Sequence, residues 1–185
     1  IYINFSAEIN SNTSEALMNF LADQTNKGEK EFYILLSYDG GRTKDGMTLY
    51  NYIKSLPAKI IMHNIGVVNS IANVIFLAGD ERYAVPHSSF LFHGVGFDIS
   101  QPTRLEEKEL KEKIKIIDRD QTLMSGIIAE RTKLPLEEIK KLFLETQTKT
   151  PEEAKKMGLI QDIKEAKIPT GAKVFSFAFP QRPWR

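Results

Sequence analysis

At 185 residues the chain is long for one domain and short for two, and it is large enough to bury a proper core. A formal net charge of +1 gives no electrostatic footprint for nucleic acid or for an anionic membrane surface. With no cysteine, disulfides, thiolate metal sites and cysteine nucleophiles are excluded.

In chain order, Tyr2 to Phe5 reads as a short strand. Asn12 resembles a helix N-cap with Glu15 as its capping-box partner, and Ala16, Leu17, Phe20 and Leu21 give that helix an apolar stripe closed by Gly28. Phe32 to Leu36 is a continuous apolar run, which suits a parallel strand covered on both faces. A helix from about Asp45 to Ser55 follows, then a strand from Lys59 to Met62, an apolar helix from Val68 to Ala78, and a strand from Phe90 to Phe92. This alternation predicts an α/β fold with parallel strands.

The second half changes character. From about Arg104 to Lys133 the chain is charged and periodic, with Leu110, Ile114, Ile117, Leu123, Met124, Ile127 and Ile128 at helical spacing. A helix near 45 Å long exceeds a small core, so part of it is expected to project, its stripe met by a hairpin with Leu136 to Leu144 or by self-association. Thr150-Pro151-Glu152-Glu153 is a helix start with N-cap, N1 proline and capping-box acid, and Gly158 is its stop. Leu159 to Ile163 reads as a last short strand. The tail from Pro169 to Arg185 has aromatics without a clear period and is expected to pack as an irregular arm.

No apolar run approaches the ~20 residues of a membrane span; the richest stretch, 60–77, is interrupted by His63, Asn64, Asn69, Ser70 and Asn73. No secretory signal is read, and a cytoplasmic location is expected. No metal-ligand spacing or nucleotide-binding loop is found, so no cofactor and no metal are expected.

Three pieces carry chemistry. Ser70, in Gly66-Val67-Val68-Asn69-Ser70-Ile71-Ala72, is read as opening an apolar helix, where free N–H groups favour a developing oxyanion. Taken alone, it reads as an ordinary N-cap serine. Gly40 and Gly41 follow a strand and permit close approach of a substrate carbonyl, although taken alone they read as a plain strand-to-helix turn. His93 ends the Phe90-Leu91-Phe92 strand, and strand C-termini line the ligand crevice of open α/β sheets. His63 and His87 read as structural or exposed. A base needs an orienting acceptor on its second nitrogen. Asp98, Glu145 and Thr146 are the candidates, and local pattern does not choose among them.

The order of these pieces resembles the proteolytic subunit of the Clp protease, within the Clp–crotonase fold. The resemblance rests on Ser37-Tyr38-Asp39-Gly40-Gly41 with Gly46-Met47 and Tyr50 downstream, the Gly66–Ala72 serine segment, Pro86-His87-Ser88 to His93, and Thr150 to Ile160. It covers Tyr2 to about Ile163. It implies repeated ββα/βαβ units in one domain, with a head over about 1–100 and 146–185 and a projecting handle helix in about 101–145. It further implies a serine-type endopeptidase acting through an acyl-enzyme. Ser70 would be the nucleophile, His93 the general base, the Gly41 and Ile71 N–H groups the oxyanion hole, and Gly40 a substrate contact. The implied partners are a peptide or unfolded protein as substrate, further copies in a heptameric or stacked double ring, and a Clp ATPase, with no nucleic acid and no membrane.

Four positions depart from the family pattern. Thr146 stands where the family has its catalytic aspartate, with Glu145 beside it as a substitute. Asp39 replaces a proline, Asn69 an alanine and Ala72 a glycine. Neutralising the third member of a triad costs around 10⁴ in kcat. Two alternatives therefore stand beside the peptidase: an inactive structural subunit of a mixed ring, and a crotonase-type acyl-CoA enzyme, which needs neither Ser70 nor His93.

Overall fold

The computed structural model describes residues 1–97 and 104–178. Its elements, in chain order, are β1 (Tyr2–Ser6), α1 (Ser11–Asn26), β2 (Glu31–Tyr38), α2 (Thr43–Ser55), β3 (Lys59–Asn69), α3 (Ala72–Phe76), β4 (Glu81–Ala84), β5 (Ser89–Phe92), α4 (Glu107–Arg131), α5 (Leu136–Glu145), β6 (Gln147–Lys149), α6 (Pro151–Lys156), β7 (Asp162–Ile163) and β8 (Val174–Ala178).

One sheet runs β6-β5-β3-β2-β1-β8, with β4 also on β3 and β7 on β4. Every pairing is parallel except β5 with β6. The parallel centre explains the continuous apolar reading of β2: Phe32, Ile34, Leu35 and Leu36 are all buried. α1, α2 and α3 pack beside one another, and their Leu17, Leu21, Leu49, Ile53 and Phe76 share one core with the strands. An edge-to-face contact of Phe76 with Phe90, 5.3 Å between ring centres, joins α3 to β5.

Several boundaries differ from the sequence reading, among them the expected last strand Leu159 to Ile163, which shortens to Asp162–Ile163 because Leu159 and Ile160 turn into the core after α6. The first helix is capped by Asn10, not Asn12: the Asn10 side chain accepts from the Thr13 N–H at 3.1 Å, and the Thr13 hydroxyl accepts from the Asn10 N–H at 3.1 Å. Two asparagines two residues apart offer the same local chemistry, and the chain leaving β1 selects the earlier one. The expected strand Lys59–Met62 continues to Asn69, and the expected helix from Val68 shortens to Ala72–Phe76. The tail is not wholly irregular, since β8 pairs in parallel with β1 from Tyr2↔Val174 to Ser6↔Ala178. Phe175 and Phe177 of β8 both meet Phe20 of α1, at 4.6 and 5.3 Å between ring centres.

α4 spans 25 residues, about 37 Å at 1.5 Å per residue. Only Met124, Ser125 and Ile128 are buried, where α5 packs on its C-terminal half. Leu110, Ile114, Ile116 and Leu123 are exposed. Among the described residues no helix is long and apolar enough to cross a membrane.

Candidate active site

β3 builds the site by outrunning the strand that flanks its first half. Ile61–Asn64 pair with β4, and Val67–Asn69 then pair with β5 on the same edge. On its other edge β3 follows β2 past a register shift between Leu36 and Tyr38, reaching Tyr38↔Val68. The end of β3 is therefore delivered between the Gly40–Gly41 turn after β2 and the strand that leads to His93. Gly66 lies within β3 rather than in a turn, its N–H donating to Asn64 Oδ1 at 2.9 Å.

Ser70 occupies the sharp turn between β3 and α3, with φ 56°. A non-glycine residue in the left-handed region is uncommon and is held there by its surroundings. Here the Ser70 N–H donates to the Leu91 carbonyl at 2.9 Å, and the Ser70 carbonyl accepts from the Asn73 N–H at 3.1 Å. The side chain is half-buried. The sequence reading put Ser70 at the start of a long helix. α3 has only five residues and begins at Ala72, so individual N–H groups matter more here than a helix dipole.

Gly40 and Gly41 are required by geometry. Gly40 has φ 109°, and a Cβ there would lie 2.8 Å from the Ser70 Cβ. Gly41 has φ 146°, and its Cβ would strike the Ile9 carbonyl. Ile9 holds this turn from both sides, donating to the Gly40 carbonyl at 2.9 Å and accepting from the Arg42 N–H at 2.7 Å. Among the described residues, the Gly41 and Ile71 N–H groups donate to no protein acceptor.

His93 follows β5. Asn69 pairs with Leu91 at the end of β3, the Ser70 N–H bonds to the Leu91 carbonyl, and His93 is two residues beyond Leu91. Its Nδ1 donates to the Gly94 carbonyl at 2.8 Å. A carbonyl can only accept, so this bond puts the proton on Nδ1 and leaves Nε2 with its lone pair. No hydrogen bond joins His93 to Ser70 among the described residues.

The third position is brought alongside but not engaged. β5 and β6 are antiparallel with Phe92↔Gln147, and continuing that register sets Thr146 opposite His93. Thr146 is exposed, ends α5 and has φ 51°. Glu145 is exposed, pairs with Lys141 at 3.7 Å and accepts from the Gln147 side chain. Neither residue bonds to His93 among the described residues. Asp98 lies outside them. Beside His93, Gln121 of α4 reaches across to accept from the Val95 N–H at 3.2 Å. It also lines a cavity of about 630 Å³ between α4 and α5, with Ser125, Phe143 and Leu144 on its other walls.

Sequence reasoning missed the two residues that tie the pieces together. Asn69 donates through Nδ2 to Asp39 Oδ1 at 2.8 Å and accepts at Oδ1 from the Leu91 N–H at 3.2 Å. Asn73 donates through Nδ2 to the Ser70 carbonyl at 3.2 Å and the Leu91 carbonyl at 2.8 Å. The available signal was two amides flanking a serine within an otherwise apolar run. Elsewhere on β3, His63 is the structural histidine expected: it accepts from the Tyr33 hydroxyl at 2.7 Å and donates to the Lys164 carbonyl at 3.0 Å, and burial holds its pKa below the usual value.

The Clp protease family model matches residues 1–167. The ATP-dependent Clp protease proteolytic subunit of Deinococcus radiodurans is 28% identical over 167 residues, covering 88% of this chain and 78% of that protein. The structure of a ClpP1 point mutant from Listeria monocytogenes superposes with a TM-score of 0.78 over 90% of this chain and 92% of the other, at 24% identity, a likeness of fold. The Clp–crotonase-like α/β architecture expected from the motifs is thus the fold observed, and the chain belongs to the Clp protease family.

Proposed function

We propose that the chain is a serine-type endopeptidase subunit in which Ser70 is the nucleophile, His93 the general base, and the Gly41 and Ile71 N–H groups the oxyanion hole. The observation that carries this is the left-handed turn at Ser70, whose N–H donates to Leu91 on the strand that leads to His93, with the Gly41 and Ile71 N–H groups free of protein acceptors among the described residues. In this reading the Ser70 Oγ bonds to the scissile carbonyl carbon while its proton passes to His93 Nε2. The carbonyl oxygen takes the negative charge and is met by the two N–H groups. His93 then returns the proton to the leaving amine as the C–N bond breaks, leaving an acyl-enzyme. A water activated by the same nitrogen releases the acid and restores Ser70. The Gly94 carbonyl holds Nδ1 in this scheme, orienting the ring without a negative charge to stabilise the imidazolium. The cavity between α4 and α5 offers an apolar side chain of the substrate a place to lie.

A second reading, an assembly subunit with a silent site, is favoured by one observation: among the described residues neither Thr146 nor Glu145 makes a hydrogen bond to His93, and Glu145 is engaged with Lys141 and Gln147 instead. Intact-mass measurement after incubation with a fluorophosphonate separates the two. A single adduct on the wild type, absent in Ser70→Ala and His93→Ala, is the expected result. A folded, assembled protein that takes no adduct refutes the peptidase.

Self-association into rings through α4 completes the reading, since Leu110, Ile114 and Leu123 present apolar surface that the chain itself leaves uncovered. Ile114→Glu should shrink the particle measured by light scattering; an unchanged mass removes α4 from the interface. A Clp-type ATPase as feeder of unfolded chains, and a cytoplasmic setting, follow from the same family reading.

A further inference from the structure

Asn69 and Asn73 bracket Ser70 in a segment whose neighbours Val68, Ile71, Ala72, Val74 and Ile75 are all buried and apolar. Asn73 is 1% exposed, so its amide has exchanged water for two carbonyl acceptors. Reversing the amide would set Oδ1 against two carbonyl oxygens, so the partners dictate its orientation. In that orientation Oδ1 is buried with no partner. An orphaned acceptor is costly, and buried polar groups left unsatisfied mark places where something other than stability is served.

Asn69 works from the other side. Its amide joins Asp39, the residue before Gly40, to the Leu91 N–H. Leu91 is thereby gripped at both backbone atoms, two residues before His93. The continuous path Asp39–Asn69–Leu91–Asn73–Ser70 crosses all three pieces of the site.

We propose that Asn69 and Asn73 are positioning residues of this serine site, clamping the Gly40–Gly41 turn, the Ser70 turn and the strand that carries His93 into one frame. This rests on the reading of Ser70 as nucleophile. Asn69 also engages the Asp39 carboxylate, whose charge otherwise opposes an oxyanion forming beside Gly41. The clamp acts by fixing the nucleophile, base and oxyanion donors relative to one another, where displacements near 1 Å cost about a hundredfold in rate.

The test is the rate of fluorophosphonate adduct formation on the full chain, read per folded molecule beside a melting curve. Asn73→Ala should slow labelling by about ten- to a hundredfold, and Asn69→Ala by about tenfold. Asn69→Asp should be slower still, because it removes the donor and sets a second carboxylate against Asp39. Adding Asp39→Ala to Asn69→Ala should recover rate, which a merely structural asparagine does not predict. A wild type that labels while every asparagine variant labels equally fast overturns the clamp and leaves the peptidase standing. A folded wild type that takes no label refutes the peptidase reading and the clamp with it. Should buried Asn73→Ala fail to fold, the half-buried Asn69 series decides alone.

Discussion

Two non-glycine residues among those described have left-handed backbone, Ser70 and Thr146, and they stand on opposite sides of His93. Ser70 is held by backbone and side-chain bonds from Leu91 and Asn73, in a turn packed against Gly40. Thr146 is exposed, makes no hydrogen bond to His93 among the described residues, and is β-branched, which makes left-handed backbone a marked outlier there. In the proposed site, pre-organisation is thus concentrated on the Ser70 side. The side that would steady a charged imidazole is left to the Gly94 carbonyl. On the proposed peptidase reading, such a site would favour forming the first bond over stabilising the charge that follows.

The contrast can be broken most sharply at position 146. Thr146→Asp should raise the rate of a small ester substrate by at least about tenfold, toward the ~10⁴ ceiling set by neutralising a triad aspartate. If kcat stays unchanged, residue 146 is held away from His93 by its turn. Next comes Gly40→Ala. A Cβ at φ 109° and 2.8 Å from the Ser70 Cβ should slow fluorophosphonate labelling by about a hundredfold, with strain of roughly 1–3 kcal/mol seen in the melting curve. Labelling at the wild-type rate would show that the turn does not need its close approach.

The smallest effect tests the strand beneath Ser70. His63 is buried in β3 between the Tyr33 hydroxyl and the Lys164 carbonyl, with Tyr83 and the Lys164 ammonium nearby. Burial lowers its pKa, so the unfolded chain binds a proton first as pH falls. Stability should therefore be full above about 6.5, the unfolded value, and decline as pH drops below it, by at most ~1.4 kcal/mol per unit. Denaturant midpoints at neutral and mildly acidic pH, compared in wild type and His63→Gln, measure this. A decline that survives His63→Gln belongs to another group.

Much of the site was legible because its chemistry is carried by local types. Two glycines after an apolar strand, a serine among small residues and a histidine at a strand end can be read without coordinates. The extent of β3 could not be read. Val67-Val68 and Ile71 to Leu77 are apolar stretches broken only by Asn69-Ser70 and Asn73, and periodicity does not separate a buried strand from a buried helix over pieces this short. Pairing with β5 decides that the strand persists to Asn69. The edge strand β8 had a signal in the alternation Val174-Phe175-Ser176-Phe177, but Phe20 of α1 and Phe5 of β1, far away in sequence, are what those rings pack against.

By itself the sequence determined the α/β order, the helix starts at Thr43 and Pro151 to within about two residues, the long charged helix with its uncovered stripe, and the residue types able to do acyl transfer. These depend on neighbours within a turn or two. The tertiary structure alone decided that β3 passes from β4 to β5, that Ser70 takes a left-handed turn instead of a helix start, and that Asn69 and Asn73 face Asp39 and Leu91. It also decided that β6 runs antiparallel to β5, which brings the end of α5 with Thr146 to the side of the strand that leads to His93. Each of these turns on partners tens of residues away, whose hydrogen bonds and contacts exist only once the sheet has closed.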